Sequence, residues 1–212
     1  MYPVNLIGYK KSKFRCNKKR QFKLNRICVN CGSSPGKDPL YRGMAVSLGT
    51  FLGERDIELV YGGADVGLMG DVANAVLRAG GNVTGVITQS LAEKVCHHNL
   101  TELIVVNTMH ERKMKMFELS DAFIVLPGGF GTLDEMFEIL TWAQLGIHGK
   151  PVGVLNVKGY YNRLIEFIDN AIDQRFIKKE HRSIIIVSEE IEGLFQKIEE
   201  FRAPVADKWL DR

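Results

Sequence analysis

The stretch from Pro127 to Glu135, Pro-Gly-Gly-Phe-Gly-Thr-Leu-Asp-Glu, constrains this chain more than any other. An apolar run, Ala122 to Leu126, leads into it, and apolar residues at helical spacing lead out of it from Leu133 to Leu145. That succession reads as a buried parallel strand, a glycine turn and a helix N-terminus. The glycines Gly128, Gly129 and Gly131 let the backbone approach a ligand closely and take positive φ. The first amides of a helix lack intrahelical partners and lie at the positive end of its dipole, which favours an anion such as phosphate. Thr132 adds a hydroxyl donor, and Glu135 follows about one turn in. A single Gly-x-Gly could be a plain turn closed by a capping threonine. Glycines, a threonine and a carboxylate packed together favour phosphate binding instead.

The same order repeats along the chain. Strands are expected at 26–31, 57–61, 83–87, 103–106, 121–126, 152–155 and 184–187. Helices are expected at 39–53, 68–78, 109–119, 132–145, 160–173 and 189–201, with an irregular stretch from 88 through Asn99. Strands alternating with helices imply an α/β fold, a single Rossmann-like domain whose doubly wound, mainly parallel sheet carries helices on both faces. Ligands then sit beyond the carboxyl ends of the strands, at the point where strand order reverses. The glycine- or serine-rich turns at 32–36, 62–67 and 128–131 all follow strands and should meet on that edge.

Length fits one domain: 212 residues, 45% hydrophobic and 25% charged, can bury a sizeable core. The net charge of +3 is misleading, because residues 1–26 hold nine Lys or Arg and no acid. The remainder has 19 bases against 25 acids. A mildly acidic body gives no reason to expect nucleic-acid binding. The basic leader, residues 1–25, has no apolar centre and is not a secretory signal. Its lack of acids would suit an organelle transit peptide, but a flexible tail or an over-extended start fits better, and it is expected to be disordered. The Rossmann-like domain is expected over 26–203, with a tail at 204–212. No run is long enough to span a membrane. Cys28 and Cys31 form one C-x-x-C, but Cys16 and Cys96 do not form a second, so a four-thiolate zinc site is not expected. Cys28 falls inside a strand rather than at a helix start, which suits reduced structural thiols in a cytoplasmic protein. The adjacent His97 and His98 read as loop residues rather than as a metal-binding pair.

The 109–119 helix carries a second unusual feature. At 100° per residue, Met109, Met114, Met116, Phe117 and Leu119 share one broad arc, while Glu111, Lys115 and Glu118 lie opposite. Arg112 and Lys113 fall inside the apolar arc, where each must snorkel or find an anion. For Arg112 a ligand or a carboxylate partner is the better reading, with Glu135 the natural candidate. In the following helix Leu133, Met136, Phe137, Ile139, Leu140 and Ala143 make the expected core face, and Asp134, Glu135, Glu138 and Thr141 the other. Helix-dipole stabilisation accounts for Asp134. Glu135 and Glu138 could raise one another's pKa, although a solvated helix face is the commoner arrangement.

Met109-His110-Glu111-Arg112-Lys113, followed by Pro127 to Glu135, closely resembles the LOG family of cytokinin riboside 5′-monophosphate phosphoribohydrolases, whose bacterial members were often labelled lysine decarboxylases. The resemblance takes in Cys31-Gly32-Ser33-Ser34, Tyr61-Gly62-Gly63, Gly67-Leu68-Met69-Gly70, Leu100-Thr101-Glu102-Leu103, Thr141 to Gly146 and Gly159-Tyr160-Tyr161, so it covers roughly residues 26–200. Ala64 stands where many members have a third glycine, and the basic leader has no counterpart. The resemblance implies hydrolysis of the N-glycosidic bond of a nucleoside 5′-monophosphate to free base and ribose 5-phosphate. It implies Arg112 and Glu135 as the catalytic pair, with Arg112 expected to orient Glu135 and hold its pKa low, keeping it ionised. It puts the phosphate on Gly128, Gly129, Phe130, Gly131 and Thr132, beside Leu133. Lys113, Asp134 and Thr141 match further substrate-contact positions, with another near Glu93 or Lys94. It implies no cofactor or metal, and a homodimer or larger assembly. The base, adenine or an N6-prenylated adenine, depends on residues outside these motifs.

Other functions make different demands. A pyridoxal-dependent decarboxylase needs a Schiff-base lysine within a cofactor fold, and no strand-end lysine stands out. A dinucleotide oxidoreductase needs Gly-x-Gly-x-x-Gly, which no turn here reads. A non-catalytic nucleotide carrier on the same fold needs only the glycine turn, whereas retention of both Arg112 and Glu135 favours the enzyme.

Overall fold

The computed structural model describes residues 24–204; the expected basic leader up to residue 23 and the expected tail from residue 205 lie outside the described residues. Seven strands form one sheet: β1 (Arg26–Asn30), β2 (Glu58–Tyr61), β3 (Val83–Thr88), β4 (Glu102–Val106), β5 (Ala122–Val125), β6 (Val152–Leu155) and β7 (Ile185–Ser188). Their order is β4-β3-β2-β1-β5-β6-β7, and every neighbouring pair is parallel. The chain winds outward from β1 in one direction and then, from β5, in the other. The switch point therefore lies between β1 and β5, and the Pro127–Glu135 stretch emerges beside it.

The connecting helices are α1 (Pro39–Glu54), α2 (Gly67–Arg78), α3 (Gln89–Val95), α4 (Met109–Leu119), α5 (Phe130–Gln144), α6 (Asn162–Asp173) and α7 (Ile191–Glu200). Strand side chains alternate between two cores. Ile27, Val29, Leu59, Tyr61, Ile124 and Leu126 pack with residues of α1, α2 and α7. Cys28, Val60, Val86, Phe123 and Val125 pack with residues of α4, α5 and α6. The expected parallel, doubly wound sheet with helices on both faces is the observed one.

Three local readings need correction. Residues 89–95 are a helix, not irregular: α3 buries none of its residues and so carries no apolar periodicity to announce it. In α4 only Arg112 and Met116 are buried, while Met109 and Met114 are exposed. The apolar arc is thus narrower than the sequence suggests, and Arg112 sits at its centre, one turn before Met116. In α5, Phe137 turns outward and is exposed, and Thr132 takes a buried place instead.

Cys28 and Cys31 are both free and buried, but they belong to opposite cores because they stand three positions apart, an odd offset, along the alternating chain of β1 and the residue after it. Among the described residues no helix is long and apolar enough to cross a membrane.

The packed core also takes in a residue before Arg26. Leu24 is only 9% exposed within the first core, and the Asn25 amide donates to Asp121 Oδ2 at 2.9 Å. A chain starting at Leu24 should unfold at a higher urea concentration than one starting at Arg26. Full burial of a leucine is worth about 1.5–3 kcal/mol, and the difference should approach that. Equal midpoints for the two would show that Leu24 contributes nothing to the core.

Candidate active site

Three turns converge at the carboxyl edge of the sheet. The Gly32 amide donates to the Pro127 carbonyl at 3.0 Å, and the Leu68 amide donates to the Gly32 carbonyl at 3.0 Å. A side chain at Gly128 would lie 2.1 Å from Thr132 Oγ1 and 2.9 Å from the Gly32 amide nitrogen. Glycine at 128 is therefore required by close packing. None of Gly128, Gly129 and Gly131 has positive φ, which corrects the expectation that this turn needs left-handed backbone. Gly129 caps α5, and nothing lies within 4 Å of where a Cβ on Gly129 or Gly131 would sit. That open backbone exposes the first amides of α5.

Two tyrosines that sequence reasoning did not assign fix this turn from behind. Tyr160 Oη donates to the Gly128 carbonyl at 2.7 Å, and Tyr161 Oη donates to the Leu126 carbonyl at 2.8 Å. Both bonds hold carbonyls of the segment that leads from β5 into α5. The signal was the Tyr-Tyr pair after Gly159, which the motif comparison included without giving it a role.

Arg112 and Glu135 meet beside this turn. Arg112 Nη1 donates to Glu135 Oε1 at 3.1 Å, and its Nε donates to the Val86 carbonyl at 3.0 Å. Arg112 is 6% exposed, yet its guanidinium is held from two directions, as a buried charge requires. Gly62 makes the position possible. A Cβ there would lie 2.0 Å from Arg112 Nη2, so the Tyr61-Gly62-Gly63 turn leaves room for the guanidinium.

Burial raises the Glu135 carboxyl above the ordinary glutamate range. Arg112 opposes that shift without cancelling it, Asp134 adds to it, and Lys113 opposes it. This corrects the expectation that Arg112 holds the Glu135 pKa low.

Lys113 forms a second link between α4 and α5. Its Nζ lies 3.2 Å from Asp134 Oδ2 and 3.1 Å from Glu138 Oε2. Burial alone would lower the ammonium, but the two carboxylates outweigh it and the net shift is upward. Lys113 is therefore neither snorkelling freely nor a plausible Schiff-base amine. Lys150, whose pKa burial does lower, donates to the Phe117 carbonyl at 2.7 Å just before β6, at the opposite edge of the sheet.

The remaining sequence candidates lie further out. Phe130 is 93% exposed at the start of α5, and Leu133 lines an open groove along that helix with Asp134, Phe137, Glu138 and Thr141. Thr141 Oγ1 donates to the Phe137 carbonyl at 2.7 Å, and no hydrogen bond joins it to the ion pair. Glu93 is exposed on α3. His97 is buried in the loop after α3, with Nε2 3.3 Å from Asn74 Oδ1, while the His97 amide donates to the Gly63 carbonyl. It anchors that loop to the 62–67 turn.

A family model described as "Possible lysine decarboxylase" matches residues 69–198. A cytokinin riboside 5′-monophosphate phosphoribohydrolase of Arabidopsis thaliana is 51% identical over 184 residues, 86% of this chain and 84% of that protein. This chain belongs to the LOG family. A probable enzyme of the same name from Oryza sativa subsp. japonica is 49% identical over 182 residues, 85% of this chain and 80% of that one. Among solved structures, a molybdenum cofactor binding protein from Rippkaea orientalis superposes with a TM-score of 0.64 at 21% identity. That match covers 84% of this chain and 97% of the other. The Moco carrier protein of Chlamydomonas reinhardtii gives a TM-score of 0.63 at 18% identity over 84% and 97% of the two chains. At that identity these two share the fold alone, while the LOG family relationship rests on identity at about half of the aligned positions.

Gly62→Ala should drive the Arg112 guanidinium away from Glu135, since the new methyl needs the space that Nη2 occupies. Overpacking of this kind costs about 1–3 kcal/mol. Urea unfolding should register that loss, and a crystal structure should show the ion pair broken. An unchanged midpoint with the pair intact would contradict the packing argument.

Proposed function

We propose that this LOG family member hydrolyses the N-glycosidic bond of purine nucleoside 5′-monophosphates, giving the free base and ribose 5-phosphate. The base in this proposal is adenine or an N6-substituted, cytokinin-type adenine, a reading supported by relatives named for cytokinin riboside 5′-monophosphate. The observation that carries this reading is the buried Arg112–Glu135 pair set beside the open N-terminus of α5.

The proposed chemistry follows from those two features. The 5′-phosphate lies against the amides of Phe130, Gly131 and Thr132, where partial positive charge is fixed in advance. Glu135 is five residues from the start of α5, about 7.5 Å along the axis at 1.5 Å per residue. A nucleotide anchored by its phosphate therefore extends its ribose toward the carboxylate. As the C1′–N bond breaks, its electron pair leaves with the base, and positive charge develops at C1′ and the ring oxygen. The Glu135 carboxylate stabilises that charge and takes a proton from the water that adds to C1′. The departing purine takes up one proton, so the overall change is addition of water across the bond. Arg112 keeps Glu135 ionised against the burial that disfavours charge, and aims it. Water is the only co-reactant that this scheme needs.

A carrier of the same fold could use the glycine turn alone. The buried ion pair favours the enzyme, because phosphate capture does not require a carboxylate in the cleft. The resemblance implies a homodimer or larger, and the apolar side chains α5 leaves exposed, Phe130 and Phe137 among them, offer surface for one.

AMP should be cleaved far faster than adenosine, with free adenine and ribose 5-phosphate measured as products. Comparable turnover of both would remove the phosphate role of the turn. Glu135→Gln should lose on the order of a hundred- to thousandfold in kcat while still binding AMP by calorimetry. Near wild-type turnover would overturn the role given to Glu135.

The pH dependence has a definite sign. Glu135 must be ionised to act, and its folded-state pKa is raised, so activity should fall as pH drops through a value above the ordinary glutamate pKa of about 4.3. Removing Arg112 removes an interaction that lowers this pKa. Arg112→Gln should therefore move the acid limb of kcat/KM to higher pH, and a shift to lower pH would contradict the account.

A further inference from the structure

Asn30 ends β1 at the switch point and is 2% exposed. Its Oδ1 accepts a hydrogen bond from Cys28 Sγ at 3.2 Å, while its Nδ2 is buried without a partner. The thiol is the donor in that contact, which fixes the amide with its N–H group turned elsewhere. Burial, reinforced by the Glu135 charge, holds Cys28 well above the usual thiol range, so it stays protonated and keeps that role. A buried amide donor left unmatched is unfavourable, and an apolar residue of the same shape would avoid the penalty. Such an exception asks for an explanation.

Asn30 lines a small cavity between β1, α4 and α5, together with Cys28, Lys113, Glu135 and Glu138. The centre of a water molecule can move there through about 10 Å³, close to the least space that one bound water needs. Met116, Phe117, Phe123, Ile139 and Trp142 make the rest of the lining apolar, so the partners that such a water requires are the polar groups of Asn30, Lys113, Glu135 and Glu138.

We propose that Asn30 is a positioning residue for Glu135, its amide N–H acting through one water in this cavity to give the carboxylate a second donor besides Arg112. The proposal rests on Glu135 being the carboxylate that faces the ribose. Arg112 Nη1 engages only Oε1 of Glu135. The other charged and titratable groups around Glu135 are Lys113 from α4, Asp134 and Glu138 from α5, Cys28 from β1 and Cys31 just after it. Lys113 is already shared between Asp134 and Glu138, and Cys28 donates to Asn30. A neutral donor on β1 completes the set without adding a charge to a buried site. Hydrogen bonding to the ionised form of a carboxylate favours that form, so Asn30 works alongside Arg112 against the effect of burial.

Asn30→Leu in the full chain tests this, with Asn30→Ser as a smaller change that retains a donor. Glu135 would be titrated by NMR of protein carrying ¹³C-carboxyl glutamate, its resonance assigned by loss in Glu135→Gln. Asn30→Leu should move that titration to higher pH and shift the acid limb of kcat with it. It should also lower kcat for AMP on the order of tenfold or more, with KM nearly unchanged. Asn30→Ser should move both less, and it carries the test if the leucine variant does not fold. A folded Asn30→Leu protein with greater thermal stability, an unmoved Glu135 titration and full kcat would show that Asn30 only fills space. The NMR titration needs no turnover. A wild type that cleaves no nucleotide would thus count against the proposed function, while the Glu135 shift would still decide the role of Asn30.

Discussion

A charged pair in the interior is the interaction on which the rest of this site depends. Arg112 and Glu135 come from different helices, α4 and α5, on the same face of the sheet. Taking two charges out of water is costly, and a buried ion pair is seldom a source of net stability. Here the geometry limits that cost. The guanidinium has a backbone carbonyl on one side and a carboxylate on the other, and glycine at 62 removes the atom that would displace it. Lys113, Asp134 and Glu138 tie the same two helices together further out, so the pair is held by its surroundings as much as by its own attraction. The carboxylate stays poised, its pKa lifted by burial and restrained by Arg112.

The sheet supplies the rest of the arrangement. Reversal of strand order between β1 and β5 opens a crevice where the turns after β1, β2 and β5 are within bonding distance of one another. One of those turns presents helix amides, another makes room for Arg112, and the strand between them ends in Asn30. Tyr160 and Tyr161, from the segment after β6, hold carbonyls of the segment that leads from β5 into α5. In the proposed mechanism, anion binding and charge stabilisation come from separate elements fixed to one rigid edge. That separation suits a reaction in which one end of the substrate is anchored and charge develops at the other.

Much of this was legible in the sequence because local signals and global topology agree. The repeated strand, turn and helix order implied the parallel sheet, and the misplaced polarity of Arg112 in an apolar arc pointed to a buried partner. The pairing with Glu135 followed because the two lie on neighbouring helices around one strand. What stayed hidden depends on distance rather than pattern. The need for glycine at 62 comes from an arginine fifty residues later. Thr132 joins Met136, Ile139 and Leu140 on the buried stripe of α5 because the helix already starts at Phe130, and Phe137 falls outside that stripe. The short α3 has no buried face to mark it, and a lone asparagine at a strand end looks like any turn residue. The direction of the Glu135 shift was misjudged for a related reason, since a sequence names the opposing charge but not the depth of burial.

If Arg112 and Glu135 act as one unit, their effects on catalysis cannot be independent. The direct test is a double-mutant cycle on kcat/KM for AMP with Arg112→Ala, Glu135→Gln and the combination. The account predicts that the double variant loses little more than the worse of the two single variants, because either change already disables the carboxylate. Losses that multiply would mean that the two residues contribute separately, and the buried pair would then not be the centre of the mechanism.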